Sequence, residues 1–167
     1  RVTGLKIVNQ GVCGVEVDGQ VEACDAVISN LDRFSTGQWL GRDHTEAPSF
    51  SYFTIHWGIN RSIGGLGHHT LFVPANFESG FERLYRDRRF PDPPIVYLNA
   101  THLVDPAAAP AGHSNLFAVV TSPGMEPGID WSNEVSNCRD LVLQQLQSQG
   151  VLWSDADVEF ERVQTPM

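Results

Sequence analysis

Ser49-Phe50-Ser51-Tyr52-Phe53-Thr54-Ile55-His56-Trp57-Gly58 is the stretch on which the fold turns. It is too rich in aromatic and β-branched residues for a surface helix, and a period of two divides it into unlike faces. Phe53, Ile55 and Trp57, continued by Ile59, make one face apolar throughout. Phe50, Tyr52, Thr54 and His56 make the other, which is greasy but carries polar tips. Such a strand either covers a core on one side and a long apolar ligand on the other, or lies as a central strand between two layers. Residues 69–73, 94–98 and 115–120 read as three more strands of the same mostly apolar kind, expected in one sheet with the first.

Around these strands the helical signals are few and clear. Phe77, Phe81, Leu84 and Tyr85 fall at helical spacing within residues 75–86. Proline-rich loops follow, at residues 91–94 and 105–110. Asp130 is an N-cap, Trp131, Val135, Cys138, Val142 and Leu146 form one stripe, and Gly150 is the C-terminal stop. Residues 157–163 then alternate as a closing strand. Toward the N-terminus, short apolar stretches joined by Asp18-Gly19 predict a β-meander with a tight hairpin. Residues 24–30 (Cys24 to Asn30) read as a strand buried on both faces, as in a parallel sheet, and Asp32 as the cap of a short helix to about Leu40. The fold class expected is α+β: a mixed or antiparallel sheet with helices on one face, preceded by a β-meander. A boundary is expected between residues 1–40 and 41–167.

Bulk composition narrows the function. A hydrophobic share of 41% is ordinary for a globular domain. The net charge of −9, from 20 acidic and 11 basic residues, argues against nucleic acid, whose phosphates need clustered Lys and Arg. The one basic cluster, Arg83, Arg86, Arg88 and Arg89, is interrupted by acids; it reads as a solvated helix end or as a contact for anionic lipid. Cys13, Cys24 and Cys138 lack C-x-x-C spacing and are odd in number, which suits a reducing cytoplasm.

Catalytic patterns are scarce. His68 and His69 invite a metal reading, but adjacent strand residues point to opposite faces, so one ion cannot easily take both. Hydrogen bonding at a strand edge and a place in the lining of a substrate cavity are the other two readings. The serines lack a G-x-S-x-G elbow, and no Ser, His and Asp arrangement stands out. No G-x-G-x-x-G occurs; Gly64-Gly65-Leu66-Gly67 has the wrong spacing and runs into a His-rich strand.

Several marks occur together and in order: Val17-Asp18-Gly19, Ser29-Asn30-Leu31-Asp32, Leu66 through His68-His69-Thr70 to Phe72, Asp105-Pro106 through Pro110 to Gly112, Asp130-Trp131 and Thr165-Pro166. In that sequence they resemble the bacterial phytoene desaturase family, flavoenzymes that remove hydrogens from the polyene precursors of carotenoids. The resemblance covers almost all of the chain and implies an internal piece of a longer enzyme. It further implies that residues 1–40 are the remnant of an FAD-binding domain, with Asn30 and Asp32 near the cofactor. Residues 41–167 would then be a substrate domain, in which Phe50, Tyr52, Thr54, His56, His68 and His69 line the site for an apolar polyene or isoprenoid. FAD and no metal is the implied cofactor set, with the parent in the cytoplasm, peripheral to a membrane if the arginines meet lipid, and with no catalytic dyad to assign. The chain alone, lacking the pyrophosphate-binding turn, is expected to bind no FAD and to be inactive. Carotenoid isomerases and retinol saturases share much of the pattern, and a non-catalytic module for an apolar ligand is the reading from another class.

Overall fold

Asp18 and Gly19 take φ values of 49° and 81°, the left-handed pair that a two-residue hairpin requires, and fold Val17 back onto Gln20. Asn9 and Gln10 do the same one strand earlier, at φ 50° and 67°. The resulting antiparallel meander is β1 (Val2–Val8), β2 (Gly11–Val17) and β3 (Gln20–Ala23). A helix follows, α1 (Arg33–Trp39), capped by Asp32. The structure, a computed structural model, describes residues 1–42, 49–124 and 129–166. It divides into two compact units, Arg1–Ala47 and Pro48–Met167.

The buried parallel strand expected at residues 24–30 is not formed. That segment is extended without strand pairing, and Ile28 is 99% exposed. A parallel strand exists only by bonding to neighbours, and none of the described strands lies beside this one. The apolar side chains of the meander, Val2, Ile7, Val8 and Val21, are likewise exposed.

In the second unit the period-two pattern becomes one five-stranded antiparallel sheet. Its strands are β4 (Ser51–Ile59), β5 (His69–Phe72), β6 (Val96–Asn99), β7 (Ser114–Ser122) and β8 (Val158–Gln164), in the order β5-β6-β7-β4-β8. Phe53, Ile55, Trp57 and Ile59 of β4 are completely or almost completely buried, beside Leu116, Ala118 and Val120 of β7 and Val96 and Leu98 of β6. Helix α3 (Trp131–Ser148) seals this face with Trp131, Cys138, Val142 and Leu146. Val135, placed on that stripe by spacing, is only half-buried, and Gln145 is buried instead. Trp131 stacks on Phe53 at 6.4 Å between ring centres, and Trp153 meets Trp57 edge-on at 5.1 Å.

An ion-pair network that periodicity does not reveal ties the layers together. Arg139 of α3 donates from Nε to both oxygens of Glu161 on β8, at 2.8 and 2.9 Å, and Trp57 Nε1 donates to Oε2 of the same carboxylate at 2.6 Å. The Cys138 thiol, desolvated in this layer, is pushed up to about 12 and is a packing group rather than a nucleophile.

Helices do not keep to one face. Helix α2 (Phe77–Tyr85) borders the opposite face: its Phe77, Phe81 and Leu84 share a cavity with Tyr52, Leu71 and Tyr97 of the sheet. Its position is set by close packing at Gly80, where an added Cβ would clash with the Pro93 carbonyl oxygen.

Candidate functional site

Antiparallel register aligns the side chains of the uncovered sheet face into rows. His69, Asn99, Phe117, His56 and Arg162 are successive partners across β5, β6, β7, β4 and β8. One row along the strands come Leu71, Tyr97, Val119, Thr54 and Gln164. Beyond these lie Thr121 and Tyr52. Rows are about 6.8 Å apart and neighbouring strands about 4.8 Å apart. Because no described helix covers this face along its length, Tyr52 and Leu71 are each 60% exposed.

The end of the face nearest α2 is apolar. A cavity of about 430 Å³ is walled there by Phe77, Phe81 and Leu84 of α2 and by Tyr52, Leu71 and Tyr97 of the sheet, with Pro91 and Pro93 at one side. Phe50 precedes β4 and lies outside that wall, packed edge-on against Tyr85 at 4.6 Å with the Arg88 guanidinium 4.9 Å from its ring centre. Thr54 bonds to the Gln164 side chain at 3.4 Å. His56 stacks on Phe117 at 4.4 Å and borders a second hollow of about 380 Å³, with Asn99, Asn115 and Phe160. The four tipped residues therefore occupy different environments rather than one common lining.

His68 and His69 do not diverge. Strand β5 begins at His69, so strand alternation does not extend to His68, and the two rings meet with centres 4.1 Å apart. Asn99 Nδ2 lies 3.5 Å from His68 Nε2, 3.4 Å from His69 Nδ1 and 3.2 Å from the His68 carbonyl oxygen. Tyr97 Oη stands 2.7 Å from His69 Nδ1, and the Thr101 hydroxyl donates to Asn99 Oδ1 at 2.6 Å. Proximity and tertiary placement, not spacing, make this polar cluster, and Tyr97, Asn99 and Thr101 carry no sequence signal for it. Among the described residues no group of three His, Cys, Asp or Glu is placed to hold a metal ion.

In the first unit Asn30 borders a hollow of about 820 Å³ between β1, β2, residues 27–31 and α1. The Asp32 carboxylate accepts from the Phe34 and Ser35 amides and from the Ser35 hydroxyl. The Ser35 hydroxyl bond comes first in holding that carboxyl below its usual range. Asn30 borders the hollow, whereas the Asp32 carboxylate is committed to holding the loop and helix in place.

The sheet with its α3 layer, and the meander before it, have known counterparts. No family model matches the chain. A 1-hydroxycarotenoid 3,4-desaturase from a Flavobacterium species is 28% identical over 166 residues, which are 95% of this chain and 34% of that protein. A 4,4'-diaponeurosporene oxygenase from Staphylococcus aureus is 26% identical over 99% of this chain and 35% of its own length. These relatives are carotenoid enzymes. The chain is therefore similar, along nearly its whole length, to about a third of a carotenoid desaturase-like oxidoreductase. An oxidoreductase structure from Methanosarcina mazei superposes with a TM-score of 0.59 over 97% of this chain and 36% of that one, at 18% identity, which speaks to the fold alone.

Proposed function

We propose that this chain is the substrate-domain portion, with an adjoining piece of the flavin domain, of an FAD-dependent oxidoreductase that removes hydrogens from a long apolar polyene. The observation that carries the reading is the uncovered sheet face, which ends in a cavity walled by aromatic and aliphatic side chains. A soluble substrate would not repay so much exposed apolar surface, whereas a polyene would bury it. The carotenoid relatives support the same substrate class.

FAD, when bound, would supply the two-electron acceptor, the hydride leaving one carbon and a proton leaving its neighbour. The residues of this chain hold the polyene along the open face, exclude water from it and align it, which is most of what such a reaction asks of side chains. Asn30 is the residue proposed to border the cofactor, with Asp32 positioning it. Tyr52 borders the polyene in the cavity, His56 in the second hollow, and His68 and His69 beside the polar cluster. Phe50 and Thr54 support the same face through Tyr85 and Gln164. The chain on its own is proposed to be inactive and without FAD. The parent is proposed to work in the cytoplasm, at a membrane surface if its arginines meet anionic lipid; none of the described helices is long and apolar enough to cross a membrane.

Oxygenation of the polyene end is the second reading, favoured by the Staphylococcus aureus relatives. Incubating the FAD-loaded parent protein with a linear polyene and following its visible absorption decides the matter. Bands moving to longer wavelength with two hydrogens lost per step are expected. Mass gain by oxygen selects the second reading, and an unchanged polyene overturns both.

A further inference from the structure

We propose that the cluster of His69, Tyr97 and Asn99 is an anchor for an oxygen function, a hydroxyl or carbonyl, at the end of the polyene. The inference rests on the polyene reading above and adds to it the polarity of the chain end. Tyr97 joins the two environments: its ring lines the apolar cavity while its hydroxyl stands 2.7 Å from His69 Nδ1. A chain lying in the cavity against Leu71 and Tyr97 reaches the His69 row after about 6.8 Å, the spacing of one row.

The cluster fixes one sense of hydrogen bond. When Tyr97 donates to His69 Nδ1, the imidazole proton sits on Nε2, which then donates to an accepting oxygen. Asn99 Nδ2, a donor 3.4 Å from Nδ1, requires Nδ1 to be the acceptor and so holds the ring in this tautomer. His69 is an exposed residue of β5. Asn99 sets the ring in place from Nδ2, and Thr101 fixes the amide by donating to its Oδ1. The sign of the surroundings favours oxygen over a cationic group. Arg162 and His56 share the row, and the described strand residues on this face include no carboxylate. A wholly apolar end would strand these polar groups under hydrocarbon, which is costly.

The test uses the full-length parent protein with its flavin and two ligands: a linear polyene hydrocarbon and the same polyene with one terminal hydroxyl. Binding is read from the shift of the polyene absorption band, separately from turnover. The hydroxylated polyene is expected to bind about tenfold more tightly, the worth of one or two hydrogen bonds. In Tyr97→Phe, and independently in His69→Leu, the ratio of the two dissociation constants should fall to near one. An equal affinity of the unaltered protein for both ligands, or a preference that survives both substitutions, overturns the anchor. If the preference is present and lost as expected while no polyene is turned over, the anchor stands and the desaturase reading falls. Should both polyenes be turned over without preference, the desaturase reading stands and the anchor falls.

Discussion

The two faces of the five-stranded sheet are built from similar residues and have opposite fates. On one, Phe53, Ile55 and Trp57 are at most 1% exposed beneath α3, while on the other Tyr52, the residue next to Phe53, is 60% exposed. Both faces are greasy, so hydrophobicity does not separate them. The difference is cover: α3 supplies an apolar stripe and the Arg139–Glu161–Trp57 network to the first. The second is flanked by α2 at one end only. Tyr52 and Leu71 of that face stay exposed and so add little to the stability of this unit.

The sharpest break of that contrast is Val142→Asp. This side chain is fully buried between α3 and the sheet, and an unpaired carboxylate there should abolish cooperative melting of the unit. Next comes the pair Phe53→Ala and Tyr52→Ala. The first should lower stability by about 3 to 5 kcal/mol, as large-to-small aromatic changes in cores do. The second should cost about 1 kcal/mol or less in denaturant unfolding, because most of the ring already meets water. Equal losses would mean that the open face is a second core. In the parent enzyme the order should reverse for function: Tyr52→Ala changes turnover or product distribution with folding and flavin content retained.

Glu161→Gln sharpens the covered side. It keeps the volume but weakens the charge-assisted bonds from Arg139 and Trp57, with an expected loss of about 1 to 3 kcal/mol in chemical denaturation. The smallest effect belongs to the cap of α3. Asp130 accepts from the Ser132 hydroxyl, the first cause of its lowered pKa, and from the Ser132 amide. Its folded-state pKa lies below the unfolded 3.8, so the cap stabilises fully above that value and is lost as pH falls through the lower one. Asp130→Ala should therefore melt slightly below the unaltered protein at pH 7, and the gap should close in strong acid. A gap that persists there would assign the effect to packing instead.

Much of this was legible in the residues themselves. The strand faces of β4, the Asp18-Gly19 hairpin, the Asp130 cap and the Gly150 stop rest on local rules, a two-residue period and the φ values a turn demands, and these act within a few residues. The motif order likewise pointed to carotenoid enzymes, because it is a property of the chain alone. Three features were decided by tertiary structure. Residues 24–30 have the composition of a buried strand but no neighbour to pair with among the described strands, and pairing is non-local. Helix α2 lies against the face opposite α3 because Gly80 docks on Pro93, residues that no periodicity connects. His68, His69, Tyr97, Asn99 and Thr101 converge because β5 begins at His69 and pairs with β6 in one particular register. Sequence sets which way each side chain can face; which of them meet depends on contacts that close long loops, whose energies belong to the whole fold.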